Sequence, residues 1–235
     1  MPLQAIGFDI DGTLYPASSL YSRMLPGALG HMRLLYTFSE VRKELRTLIN
    51  DPAYRALGIH SVDALHHYQA RMVADRLRVD VEKIRDTIET FFYRDSEEAF
   101  AGIPLFPGVT DLLDELRTRG FRLAALSDFP CGRKLELMGL KDRFDLSMTS
   151  EETGLVKPDP ASFNLMAERL GVPNDKILYV GNSERYDIAG ARAAGMFSAL
   201  ISRRKDVRSA ADFVFGSYDE LRRYILSQAG CCFTA

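Results

Sequence analysis

The chain has 235 residues, 46% of them hydrophobic and 26% charged, proportions of an ordinary globular protein of one large or two smaller domains. A net charge of −2 removes any global electrostatic case for nucleic acid or an anionic membrane as partner, and no stretch reaches the apolar length of a membrane span. The start of the chain carries neither a basic region nor a long apolar segment, so no signal peptide is expected, and the odd cysteine count (Cys131, Cys231, Cys232), without zinc spacing, suits a reducing cytoplasm.

The first predicted element is a buried strand over residues 4–9, an apolar run that leads into Asp9-Ile10-Asp11-Gly12-Thr13. From Pro16 to about Ile103 the pattern is helical. Helices are expected over Ser39–Ile49 (stripe Val41, Leu45, Leu48), over Ser61–Leu77 with Ser61 as N-cap, and over Val81 to about Tyr93. After Gly102-Ile103-Pro104 helices and strands alternate. Helix 109–119 stops at Gly120, strand 122–126 ends at Ser127-Asp128, and a short helix begins near Gly132. A weak strand at 145–148 precedes helix 160–170, which Gly171 terminates, and then strand 176–180. Helix 187–194, strand 197–201, strand 213–215 and a Ser217-capped helix to about Leu226 complete the series.

Alternating strands and helices imply βαβ units. The fold class expected is therefore α/β: a Rossmann-like parallel sheet core with helices on both faces, residues 1–15 and 104–235. An all-helical cap domain, residues 16–103, is inserted after the first strand and set over Asp9.

Alternate strand residues point the same way, so Asp9 and Asp11 can face one pocket at a strand end, where open α/β sheets bind ligands. The simpler reading of such a pair is a solvated Asp-Gly turn. Three further groups weigh against it: Ser127 after the second core strand, Lys157 before a helix, and Gly181-Asn182 through Asp187 after strand 176–180. In a parallel sheet all of these reach the edge that carries Asp9. Together they suit phosphoryl transfer, which needs a nucleophile, charge neutralisation and positioning. Asp9 fits the nucleophile of an aspartyl-phosphate, and Asp11 the acid that protonates the leaving oxygen and then activates water. Ser127 and neighbouring N–H groups suit phosphate oxygens, with Thr13 and Asp128 as further substrate-binding candidates. Lys157 supplies a point charge to both phosphate and Asp9. Magnesium needs hard oxygen donors, which Asp9, Asp11 through its carbonyl, Asn182 and Asp187 offer.

These residues resemble the four motifs of the haloacid dehalogenase superfamily, in order: Asp9-Ile10-Asp11-Gly12-Thr13, Ser127, Lys157 and Gly181-Asn182 through Asp187. Helical insertion after the first motif is similar to the family's commonest cap arrangement. The resemblance implies Asp9 as nucleophile, Asp11 as general acid/base, Lys157 as charge stabiliser and Mg2+ as cofactor. Members that displace halide need neither an acid at the Asp11 position nor a metal, so Asp11 favours phosphate chemistry. One departure stands out: Asn182 occupies a position where the family usually has aspartate, which implies weakened or retuned metal binding.

The function expected is a magnesium-dependent phosphatase acting on a small phosphorylated metabolite. The alternatives are a phosphomutase and a catalytically weakened protein that binds phosphorylated ligands. Cytoplasmic location, a monomer or homodimer, and neither nucleic acid nor membrane as partner complete the expectation. Elsewhere, His66 and His67 face different directions and read as exposed or packing residues; Tyr15, Tyr21 and Arg23 as structural; Cys131 as packed; and Arg203-Arg204-Lys205 as a solvated loop. Cys232-Phe233-Thr234-Ala235 has the outline of a prenylation box, but Thr234 suits it poorly and the segment reads as a loose tail.

Overall fold

The computed structural model of the protein describes residues 3–95, 97–204 and 207–228; Lys205, Cys231, Cys232 and the C-terminal box lie outside them. Six strands form one parallel sheet: β1 (Ala5–Phe8), β2 (Arg122–Ser127), β3 (Leu146–Thr149), β4 (Ile177–Gly181), β5 (Phe197–Ile201) and β6 (Phe213–Phe215). Their order is β3-β2-β1-β4-β5-β6. The chain builds outward from β1 to one side, then returns to pair β4 with its other edge. The carboxyl ends of β1 and β4 therefore flank the point where the order reverses, the ligand crevice of such sheets.

Strand alternation divides the core into two layers. Ile6 and Phe8 of β1, with Leu123, Ala125, Leu178 and Val180, pack on α6 (Val109–Thr118), α7 (Gly132–Leu137) and α10 (Tyr218–Gln228). Ala5, Ala124, Leu126, Ile177 and Tyr179 pack on α8 (Pro160–Leu170) and α9 (Ala189–Ala193). Gly7 belongs to this second face, where a Cβ would fall 2.8 Å from both Met166 and Tyr179.

Between β1 and α6 the described residues are helical: α1 (Ala17–Ala28), α2 (Met32–Leu48), α3 (Pro52–Arg55), α4 (Val62–Leu77) and α5 (Val81–Ile88). Ser61 caps α4 as expected, its Oγ accepting from Ala64 N at 3.2 Å. Phe38, Val41 and Leu45 of α2, Leu65 and Val73 of α4, and Ile84 and Ile88 of α5 share a second apolar cluster. Val156, from the loop before α8, enters that cluster and fastens the insertion to the sheet domain. Phe100 and Ile103 pack with the sheet cluster instead, so apolar packing passes back to the sheet domain before residue 104.

Several expected boundaries move. The helix expected from Ser39 begins at Met32, because Leu34 and Phe38 extend its buried stripe upstream. The helix expected over 81–93 is α only to Ile88 and continues as a π-wound segment, Glu89–Asp95. The helix expected over 187–194 is likewise a π-wound turn, Glu184–Ile188, followed by α9; Ile188 N reaches back five residues to Ser183 O at 3.1 Å. β3 is Leu146–Thr149 rather than 145–148, since the Asp145 carboxylate accepts from Leu123 N (2.8 Å) and closes the strand end.

Leu45 is fully buried in the cluster of the helical insertion. Leu45→Ala is expected to lower unfolding stability by about 2–5 kcal/mol, read as a shift in the urea midpoint.

Candidate active site

Asp9 leaves β1 with its N–H bonded to Val180 O (2.9 Å), which places its carboxylate between β1 and β4. Oδ1 accepts from Lys157 Nζ at 2.9 Å and Oδ2 from Thr13 Oγ1 at 2.9 Å. Lys157 is 1% exposed. Its ammonium also reaches Tyr179 OH (2.7 Å) and Asp187 Oδ1 (3.0 Å), so each of its three protons has an acceptor. The Tyr179 hydroxyl in turn donates to Leu126 O at 3.0 Å. Asp187 Oδ2 accepts from the N–H groups of Asn182 (3.2 Å) and Ser183 (3.0 Å). Gly181 permits this return: a Cβ there would lie 2.3 Å from the Asp187 Cβ.

Asp11 belongs to a separate set. Its carboxylate accepts from Tyr15 OH (2.5 Å) and from Lys134 Nζ at 3.0 and 2.7 Å, while Ser127 Oγ approaches to 3.5 Å. The backbone between the two aspartates turns at Gly12, which has φ +84°. The positive φ favours glycine, and a Cβ there would lie 2.0 Å from Asn182 Nδ2 and displace that amide. Asn182 Nδ2 donates to the Asp11 carbonyl at 3.0 Å.

Asp128 sits beside this centre. Arg46 of α2 pairs with its carboxylate at 2.6 Å, Ser150 Oγ donates to it at 3.0 Å, and Arg42 Nη2 donates to its carbonyl at 3.0 Å. It joins the helical insertion to the strand ends. Burial opposes its ionisation, but Arg46, Lys157 and Arg42 outweigh burial and hold it well below the usual carboxylate range. Arg42 is itself buried, bonded to Glu151 and to Gln69 Oε1 (3.1 Å); His66 bridges Glu151 (3.0 Å) and Glu89 (2.6 Å) rather than facing solvent.

Burial is also the largest influence on Asp9 and pushes its carboxyl up. Lys157 pulls it down, Asp187 and Asp11 push it up again, and the balance is raised to about 7. Burial disfavours the Lys157 ammonium, yet Asp187 and Asp9 more than restore it, so it stays charged.

The structure thus gathers Asp9 and Asp187 on the Lys157 ammonium, with Thr13 on Asp9 and Asn182 on Asp187, and sets Asp11 and Ser127 immediately alongside. Lys134 and Tyr179 escaped the sequence reading. Lys134 had a usable signal, since a lysine opening the helix after a catalytic strand end has an acid within reach. Tyr179 had none, being one apolar-pattern position of a buried strand.

These features define a parallel α/β fold with a cluster of charged groups at the carboxyl ends of β1, β2 and β4 and in the loop before α8. The profile of the haloacid dehalogenase-like hydrolases matches residues 3–195, and the chain belongs to that family. It is 31% identical over 209 residues to a glyceraldehyde 3-phosphate phosphatase of Methanopyrus kandleri, covering 86% of this chain and 85% of the relative. It is 28% identical to an (S)-2-haloacid dehalogenase of a Pseudomonas species, covering 87% and 85%. The solved L-2-haloacid dehalogenase of Xanthobacter autotrophicus shares the fold, with a TM-score of 0.67 at 19% identity over 95% of this chain and 98% of that one.

A carboxyl raised in the folded state holds its proton more tightly there than in the unfolded chain. Its contribution to stability is full below about pH 4 and is lost as pH rises toward 7. In metal-free protein, Asp9→Asn is therefore expected to open a gap over wild type in melting temperature as pH rises from 4 to 7.5. The gap should close as pH falls toward 4; calorimetry across that range checks it.

Proposed function

We propose that the protein is a magnesium-dependent phosphatase that cleaves a small phosphate monoester through an aspartyl-phosphate on Asp9, with the helical insertion as its cap. The observation that carries this reading is the separation of the two aspartates. Asp9 is tied to Lys157, whereas Asp11 is held apart by Tyr15 and Lys134 with its carboxylate beside Ser127. A nucleophile and a separately held acid are what ester cleavage at phosphorus needs. Displacement of halide from carbon gives the acid no task, so Asp11 weighs against the dehalogenase chemistry named for the Pseudomonas relative. The Methanopyrus relative, named as a phosphatase, weighs in favour.

In this reading Asp9 attacks phosphorus while the Lys157 ammonium takes up charge. Asp11, protonated when the ester binds, gives that proton to the departing alkoxide and regains one from the water that cleaves the intermediate and frees Asp9. Lys134 and Tyr15 hold Asp11 in the rotamer that serves both steps, and Ser127 Oγ binds a phosphate oxygen. Proton transfer of this kind contributes about 10²–10⁴-fold.

The donor set suits magnesium. Asp9, the Asp11 carbonyl and the amide oxygen of Asn182 are hard oxygen donors that would hold it. A magnesium ion held there would supply Lewis-acid polarisation of the phosphoryl group. Charge is thin, however: Asp9, Asp11 and Asp187 face Lys157 and Lys134, and among the described residues no cluster of three or more acidic, histidine or cysteine side chains forms a ready metal site.

Phosphate release from p-nitrophenyl phosphate, with and without magnesium, tests the reading. Wild type is expected to release phosphate only with the metal, and Asp9→Asn to release none; equal background release from both proteins contradicts it. Free phosphate as product, rather than an isomeric ester, separates hydrolysis from phosphomutase action. Asn182→Asp should lower the half-saturating magnesium concentration about tenfold or more, as a neutral ligand becomes a carboxylate. Lys134→Met should lower kcat about 10–100-fold with a smaller change in KM, since it frees Asp11 without touching the phosphate site.

A further inference from the structure

A cavity of about 650 Å³ opens from Asp11 and Lys134 into the helical insertion. Its size falls among sites of about 300–1,000 Å³ that bury drug-sized ligands, and exceeds what a three-carbon phosphate fills. The wall is apolar: Leu20, Met24 and Leu25 of α1, Leu35 and Phe38 of α2, and Phe129 just beyond β2. Tyr21, Leu25 and Met32 also line it and are 69%, 58% and 57% exposed, which leaves large apolar side chains without cover at the mouth of a site. Such surface is a common mark of a binding site.

The charges in the wall point the same way. Each of its four cations already has a carboxylate: Lys134 with Asp11 at 2.7 Å, Arg46 with Asp128 at 2.6 Å, Lys43 with Glu40 at 2.6 Å, and Arg42 with Glu151. The guanidinium of Arg42 is further covered by the Phe129 ring (4.7 Å) and that of Arg46 by the Tyr186 ring (4.2 Å). A second anionic group on the substrate would compete with a carboxylate already seated on each of these cations, with the Nε atoms of Arg42 and Arg46, which make no hydrogen bond, as its opening.

We infer that the cavity takes the alcohol portion of the substrate, and that this portion is uncharged and bulky, an alkyl or arylalkyl group, rather than a carboxylate-bearing or polyhydroxylated fragment. The inference rests on the phosphatase reading, because it needs the phosphate at Asp9 and the leaving oxygen at Asp11. With that geometry the carbon skeleton runs past Asp11 and Lys134 toward the apolar wall.

The test compares kcat/KM for esters whose leaving groups are all primary alkoxides: 3-phenylpropyl phosphate and n-hexyl phosphate against glycerol 3-phosphate, O-phosphoserine and phosphoglycolate. p-Nitrophenyl phosphate and Asp9→Asn serve as controls. The two apolar esters are expected to lead by about tenfold or more, most of it in KM, since even one methylene in an apolar pocket is worth about that much. Leu25→Glu and Met32→Glu, at positions more than half exposed and so tolerant of charge, should each reduce that ratio toward one at an unchanged melting temperature. Asp9-dependent turnover in which a charged or polyhydroxylated ester equals or leads the apolar ones overturns the inference and leaves the phosphatase reading standing. A preference that neither glutamate alters places selection elsewhere and also overturns it. Absence of Asp9-dependent turnover for every ester, p-nitrophenyl phosphate included, overturns the phosphatase reading and this inference with it.

Discussion

A single buried ammonium organises the strand-end site of this molecule. Lys157 lies between two carboxylates at 2.9 and 3.0 Å and a phenol at 2.7 Å, with almost no access to water. Taking such a charge out of solvent is costly, and it persists because every donor is matched and both counter-charges are held in place. The folding requirement and the chemical one thus coincide. The loop before α8, the turn after β4 and the end of β1 must all arrive at one point for Lys157 to be buried at all. Their arrival there brings together Asp9, Lys157 and Asp187, the groups to which we assign the nucleophile and its charge partners.

The same constraint explains why Asp11 is handled differently. Asp9 and Asp187 already face Lys157, so a third carboxylate on that ammonium would be unmatched. Gly12 turns the chain away at a positive φ, and Asp11 meets a second lysine, Lys134, carried by α7. Two aspartates one residue apart are thereby given different partners and can be given different tasks. Asn182 touches both sets, since its N–H braces Asp187 and its amide reaches the Asp11 carbonyl. A carboxylate at that position could not donate to the carbonyl, so asparagine joins the two halves by hydrogen bonding where an acid would add charge.

Much of this was legible from the residues. Helix α8 could be read to its ends because Asp159, Pro160 and Gly171 are local signals with local causes: the Asp159 side chain accepts from Ala161 N at 2.9 Å, and Gly171 takes the left-handed conformation. The sheet could be read because its strands are short apolar runs between turn residues. What could not be read depended on distant partners. The π-wound turn at Glu184–Ile188 exists to fold Asp187 back beneath Gly181, and nothing in its composition separates it from the start of an α-helix. Lys134 and Asp11 are 123 residues apart in the chain, and only the completed sheet brings them within 2.7 Å. His66 looked like a helix-surface residue because its partner Glu151 comes from the sheet domain.

The central claim is that Asp9, clamped by Lys157 and Thr13, is the atom donor to phosphorus. The most direct measurement is to quench a single turnover of a phosphate ester, reduce the protein with borohydride and map the product by peptide mass spectrometry, since an acyl phosphate on aspartate reduces to homoserine. The account predicts homoserine at position 9 in wild type and its absence both without substrate and in a Lys157→Met protein. Turnover in which Asp9 is recovered as aspartate, or in which another carboxylate is the one reduced, would contradict it.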